Sequence, residues 1–129
     1  IEVDALKGEP GIYSARYAGS HGPEADIDNN GKLLRELENI AEPDRTARFR
    51  CVIAYMRYAK DPMPLICQGT WEGCILFKKE GENGFGYDPP FYVPSHSCAS
   101  AKLDVATKNA ISHRGQALAQ LLKCWNSHH

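Results

Sequence analysis

Two short stretches carry residue types that suit chemistry. The first is GFGYDP, Gly84 to Pro89. Its glycines, Gly84 and Gly86, let backbone approach a flat ligand and reach positive φ. Phe85 and Tyr87 offer faces on which a planar base can stack, worth about 1–3 kcal/mol per base in nucleic-acid systems. Asp88 can accept hydrogen bonds from ring N–H groups, and Pro89 stiffens its position. The same residues also suit a tight turn whose aromatic rings fill the core.

The second stretch is KNAISHRGQAL, Lys108 to Leu118. Lys108, His113 and Arg114 are potential cations, and Ser112 is a good N-cap for a helix after it. His113 and Arg114 then fall in the first helical turn, where unpaired N–H groups and the helix dipole favour an anion. Cations placed there make electrostatic sense beside a phosphate or carboxylate. Arg114 can hold two oxygens at once, and Lys108 acts as a point charge. A solvated basic turn fits the same residues. Taken together, the two stretches describe a purine-type ring at one end and an anion at the other. They suit a nucleotide and name no reaction.

The elements that must position these residues are legible in outline. The 129 residues, 43% hydrophobic and 24% charged, predict a single soluble domain over 1–129. A net charge of −1 argues against bulk electrostatic binding of nucleic acid. No apolar run has the roughly 20 residues of a membrane-spanning helix, and the start IEVDALKGEPG does not read as a signal peptide. The five cysteines form no CxxC pair, which predicts buried thiols in a reduced, cytoplasmic setting. Ile1 and Val3 alternate with polar residues like the end of a strand. Residues 25–39 read as a helix with Leu33, Leu34 and Leu37 on one face and Asp26 or Asp28 as its cap. Residues 46–59 read as a strand whose second face turns apolar at Val52, so burial should increase along it. Residues 65–77 are β-rich, with bends or bulges expected at Gly69 and Gly73. KKEGENG is a polar loop, PFYVP is extended, and Ser95 to Ser100 is a polar stretch. Residues 112–125 read as a helix with Leu118, Leu121, Leu122 and Trp125 on its apolar face. His21 and His96 read as loop residues, and Trp71 and Trp125 as packing residues. The pattern predicts an α/β fold with a mixed, largely antiparallel sheet and a closing C-terminal helix.

These motifs, in this order, resemble the inosine triphosphate pyrophosphatase family. GEPGIYSARYAG is similar to that family's Gly-x-Pro-Gly-x-x-Ser-Ala-Arg segment, and NNGKLLREL to its Asn-x-x-Lys-Leu-Leu helix. RTARFRCVIAY is similar to its Arg-x-Ala-x-Phe strand, and GTWEGCI to its Gly-x-x-x-Gly-x-Ile hairpin. GFGYDPPFYVP and KNAISHRGQAL are similar to its two most specific signatures. The resemblance runs along nearly the whole chain and implies a long curved sheet flanked by helices. It implies hydrolysis of non-standard purine nucleoside triphosphates (ITP, dITP, XTP) to the monophosphate and pyrophosphate, with Mg²⁺, in a homodimer.

By resemblance, Phe85, Gly86, Tyr87 and Asp88 form the base pocket, with Phe85 stacked on the purine. Lys108 lies at the nucleotide, and His113 and Arg114 recognise the 6-oxo edge of the base. The family's phosphate loop, acidic metal ligand and Asp-Asp-Ser-Gly motif are expected upstream of Ile1, and with them the general base. No catalytic or metal-binding residue is therefore assigned within the chain, and Asp4 takes a structural position. Lys102, where relatives carry Glu, is a smaller departure. The chain is expected to be the C-terminal portion of an ITPase-like domain, inactive or nearly so by itself. The alternative is a non-catalytic purine-nucleotide-binding or interaction fragment.

Overall fold

Apolar runs punctuated by glycine and proline fold here into short strands and turns around two longer strands. The structure, a computed structural model, describes residues 1–81 and 84–128. Glu82 and Asn83 of the expected polar loop, and His129 of the tail, lie outside the described residues. In chain order the elements are β1 (Glu2–Val3), α1 (Ala25–Glu36), β2 (Thr46–Tyr55), β3 (Leu65–Ile75), β4 (Phe91–Val93), β5 (Cys98–Ala99), α2 (Val105–Ile111) and α3 (His113–His128). Among the described residues the strands form one sheet in the order β1-β2-β3-β4-β5. The pairings β1–β2, β3–β4 and β4–β5 are antiparallel. The α/β class and the largely antiparallel sheet are as expected.

The chain divides into two compact units. One comprises Ile1–Arg48 and Glu72–Asp104, the other Phe49–Trp71 and Val105–His129. β2 and β3 contribute residues to both.

The first unit packs Val3, Leu33, Leu37, Ala47, Ile75, Phe91 and Val93 in its interior. Leu33 and Leu37 lie one turn apart on α1, so they stack on one face. α1 ends at Glu36 instead of Asn39. Neither Asp26 nor Asp28 caps it; Glu24 takes the cap position without a side-chain bond. The two aspartates are used tertiarily: Asp28 accepts a hydrogen bond from Ser20 Oγ at 2.5 Å, and Asp26 accepts one from the Gly86 N–H. The polar stretch before Ser100 conceals β5, which owes its place to backbone pairing with β4 and not to side-chain pattern.

A buried cation joins the end of α1 to the end of β3. Arg45 is 1% exposed. Its Nε donates to the Ile75 carbonyl at 2.8 Å and its Nη2 to Leu76 at 2.8 Å. Its Nη1 donates to the carbonyls of Leu37 and Ile40, the latter at 3.2 Å. The guanidinium lies 4.1 Å from the centre of the Phe77 ring. Burial pulls its pKa down, yet guanidinium stays charged in proteins. A planar fork of donors is the side chain that can reach carbonyls on two elements at once.

At the edge of the same unit, Arg48 bridges Asp4 and Glu72, each at 2.9 Å, and Thr46 donates to Asp4 at 2.6 Å. The hydrogen bonds from Arg48 and Thr46 lower the Asp4 carboxyl to about 2. Asp4 is thus a strand-end clamp, in line with the structural position expected for it. Lys102 pairs with Glu80 at 3.7 Å on the surface.

In the second unit, β2 departs from expectation. Val52 is 64% exposed and Ala54 is exposed, so burial falls along the strand instead of rising. β3 runs unbroken from Leu65 to Ile75 through both glycines. Those glycines answer a steric demand. A Cβ on Gly69 would lie 2.0 Å from the His113 carbonyl, and one on Gly73 would meet the Tyr92 carbonyl at 2.3 Å. α2 precedes α3 as a separate helix that periodicity did not reveal. Ala117 is buried on α3, whereas Leu118 and Leu122 are exposed, so the expected apolar face is only partly covered. All five cysteines are reduced, as expected, but only Cys67 is fully buried.

Replacing Arg45 by Lys keeps the charge and loses the fork. The expected loss is about 2–4 kcal/mol, since several carbonyls lose charged donors together. Urea denaturation with an unchanged slope would read it, and a loss below about 1 kcal/mol would remove Arg45 from this role. Asp4→Asn tests the clamp by pH. The lowered carboxyl stabilises the fold above its ordinary value of 3.8 and ceases to do so as pH falls through about 2. The Tm of Asp4→Asn should lie slightly below wild type at pH 7 and merge with it in strong acid. A gap that stays at its full size well below pH 2 would contradict the assignment.

Candidate functional site

The loop at Gly84–Pro89 belongs to the first unit and is held from several sides. Gly86 takes a left-handed φ of +60°, with open space around a would-be Cβ. Glycine is needed there for its backbone and not for room. Two α1 residues, Asp26 and Asn30, grip that backbone. Gly86 N–H donates to Asp26 Oδ2 at 2.9 Å, and Asn30 Nδ2 donates to the Gly86 carbonyl at 3.1 Å. Their i, i+4 spacing puts both on one helix face.

Asp88 staples the loop from within. It is buried; its Oδ2 accepts from Phe85 N–H at 2.9 Å and its Oδ1 from Ser100 Oγ at 2.7 Å. Tyr87 is packed inside, and its hydroxyl donates to the Ser14 carbonyl at 2.6 Å. Burial pushes that hydroxyl's pKa up. The core-filling reading thus describes the Tyr87 ring. Phe85 differs: it is 56% exposed on a loop whose backbone is pinned on both sides of it.

α1 also pins the segment around Ser14. Asn29 Oδ1 accepts from Ala18 N–H at 2.8 Å, and its Nδ2 donates to the Ser14 and Ala15 carbonyls at 3.3 and 3.1 Å. The Ser14 carbonyl therefore receives both Asn29 and Tyr87. Asp26, Asn29, Asn30 and Ser100 were not singled out by motif as positioning residues. One signal was available: two adjacent asparagines are poor residues for a helix interior unless their side chains have other work.

The second unit holds Lys108, His113 and Arg114. Ser112 caps α3 as expected, its Oγ accepting from Gly115 N–H at 3.1 Å. A Cβ on Gly115 would lie 1.8 Å from the Asn109 carbonyl, so glycine is what lets α3 start directly after α2. His113 stacks on Phe49, centroids 4.8 Å apart and planes 10° apart, with Trp71 at 6.3 Å. Its ring is oriented by packing, while Arg114 is exposed and Lys108 half-exposed. An open depression elsewhere in the first unit, lined by Glu9, Arg16, Tyr17 and Lys32 among others, contains none of the predicted residues. Among the described residues no group of three or more His, Cys, Asp or Glu side chains is placed to hold a metal ion.

Comparison with known proteins agrees with the motifs. Residues 1–124 match the family model described as the Ham1 family. A Vibrio parahaemolyticus protein named dITP/XTP pyrophosphatase is 56% identical over 121 residues, 94% of this chain and 60% of its own length. The solved structure of a HAM1 protein from Coxiella burnetii has a TM-score of 0.90 at 51% identity, over 98% of this chain and 63% of that one. The Staphylococcus aureus Ham1 protein has a TM-score of 0.89 at 45% identity, over 99% of this chain and 64% of that one. The chain thus spans about 60% of the length of the curated relatives it matches.

The α1 grip on Gly86 has measurable consequences. Asp26→Ala should raise hydrogen exchange at the Gly86 amide by about ten- to a hundredfold, the value of a hydrogen bond to a charged acceptor. Gly86→Ala should cost about 1–2 kcal/mol for its left-handed φ alone. An unchanged Gly86 exchange rate in Asp26→Ala would show that the loop holds itself.

Proposed function

Because the chain belongs to the Ham1 family, we propose that it supplies purine recognition for the hydrolysis of ITP, dITP and XTP to the monophosphate and pyrophosphate. Water adds across the α–β phosphoanhydride and pyrophosphate leaves. The effect is removal of non-standard purines from the nucleotide pool. The activity is proposed for a family-length protein carrying this chain, acting as a cytoplasmic homodimer with Mg²⁺. No helix among the described residues is long and apolar enough to cross a membrane.

The observation that carries this reading is the exposed Phe85 ring on a loop pinned by Asp26, Asn30 and Asp88. An aromatic face held still loses little entropy when a base stacks on it. Stacking alone accepts any base. Selection comes from polar atoms: Asp88 and the loop backbone read ring N–H groups, and His113 and Arg114 donate to the 6-oxo oxygen. Adenine presents a 6-amino donor instead, so donors would face donors. Lys108 acts as a point charge at the nucleotide. The stacking of His113 on Phe49 supports its part, because an oriented ring aims its N–H in one direction.

Calorimetry with IMP and AMP tests recognition in the chain itself. IMP should bind about ten- to a hundredfold more tightly, the cost of a mismatched polar contact. Arg114→Ala should remove that preference, and Phe85→Ala should weaken both ligands. Equal affinity for IMP and AMP would overturn the recognition scheme. In a family-length protein, pyrophosphate release from ITP with Mg²⁺ should fall in Lys108→Ala and Arg114→Ala. Unchanged kinetics in both would remove these residues from the site.

A further inference from the structure

Within the second unit, β3 and α3 run side by side in a clear register. Gln116 Oε1 accepts from Thr70 N–H at 3.3 Å, and Gln120 Oε1 from Gln68 N–H at 2.7 Å. Two residues back along β3 thus correspond to four residues, about one turn, forward along α3. The face of β3 that meets the helix is also identified. A Cβ on Gly69 would touch the His113 carbonyl and the Ala117 nitrogen, and the Trp71 ring lies 6.3 Å from His113. Cys67 precedes Gly69 by two residues, so its side chain leaves the strand on the same face. Cys124 lies one turn beyond Gln120, where the register leads. The two side chains are neighbours, and both thiols are reduced. Cys67 is 1% exposed, while Cys124 is half-buried.

We propose that Cys67 and Cys124 form a redox-sensitive dithiol that closes into a reversible disulfide when the protein meets a peroxide. Cys124, the more accessible thiol, reacts first. Its thiolate sulfur attacks a peroxide oxygen, the O–O bond breaks, and a sulfenic acid forms as hydroxide leaves and takes up a proton to become water. The Cys67 sulfur then attacks the Cys124 sulfur, the S–O bond breaks, and a second water leaves. In sum the two thiols lose two electrons and two protons, and hydrogen peroxide becomes two waters. Burial raises the Cys67 thiol's pKa, which suits the resolving role better than the first attack. The bond fastens α3, the helix that begins with His113 and Arg114, to β3.

The test treats the reduced, folded chain with hydrogen peroxide, then denatures, alkylates and digests it for mass spectrometry. The expected product is a peptide pair joined through Cys67 and Cys124, two hydrogens lighter than its reduced parts and separated by dithiothreitol. The oxidised chain should melt several degrees higher, because the cross-link restricts the unfolded state. That rise should vanish in Cys124→Ser, a change at a half-buried site that leaves the core intact, and in Cys67→Ala. Complete alkylation of Cys67 after Cys124 has been oxidised would overturn the proposal. So would a link from either residue to Cys51, Cys74 or Cys98, or a link between two chains.

Discussion

The first unit depends on a charge buried among carbonyls. Removing a guanidinium from water is costly unless its donors are matched. Arg45 meets that cost with backbone carbonyls from beyond the C-terminal end of α1 and from the end of β3. The end of a helix carries partial negative charge and unpaired carbonyls, so a cation there satisfies both the dipole and the orphan acceptors. Arg45 and Ile75 also exchange a backbone bond, Ile75 N–H to the Arg45 carbonyl at 2.8 Å. One end of α1 is thereby fixed to the strand. The other end carries Asp26 and Asn30, which hold Gly86. The position of the exposed Phe85 therefore traces back, through α1, to a side chain buried away from the surface.

The second unit solves its positioning problem differently. It brings backbone against backbone, which requires side chains to be absent. Gly69 lets the first turn of α3 approach β3, and Gly115 lets α3 leave α2 without a linker. The aromatic residues then fill what remains, with Phe49, Trp71 and His113 in near-parallel contact. Placing His113 and Arg114 in a helix's first turn is unfavourable against the dipole. The approach of the His113 backbone to Gly69 and the stacking of its ring on Phe49 anchor that turn by packing.

What the sequence disclosed follows from which forces act locally. The capping role of Ser112, the strand of Ala47 and Phe49, and the α1 stripe of Leu33 and Leu37 all rest on short-range pattern, and all appear in the structure. The close approach at Gly69 was not legible because a bulge and a close approach leave the same mark in a sequence, and only the neighbouring helix distinguishes them. β5 escaped notice because its pairing with β4 carries no side-chain signature. Asp26 read as a cap because a carboxylate near a helix start usually is one. Its partner is sixty residues away in sequence, beyond the reach of any local rule. The motif GFGYDP pointed to the right loop but blurred its members: Tyr87 packs, Asp88 staples, and Phe85 is left facing outward.

That division of labour sharpens the proposed chemistry. A 6-oxopurine presents a ring N–H donor beside an oxygen acceptor, whereas adenine presents the reverse pair. A carboxylate can only accept when ionised, and a guanidinium can only donate. In the proposed scheme Asp88, taken by itself, suits the ring N–H and Arg114, taken by itself, suits the oxygen; adenine opposes each of them. Neither group can adapt by rotating a hydroxyl or flipping an amide, so the mismatch persists in every pose. A carboxylate also has about four acceptor sites, so the two bonds that shape the loop leave acceptor capacity for the proposed base contact. The staple that fixes Phe85 and the proposed acceptor of the ring N–H are then one group, so a substitution at Asp88 is expected to disturb stacking and selectivity together.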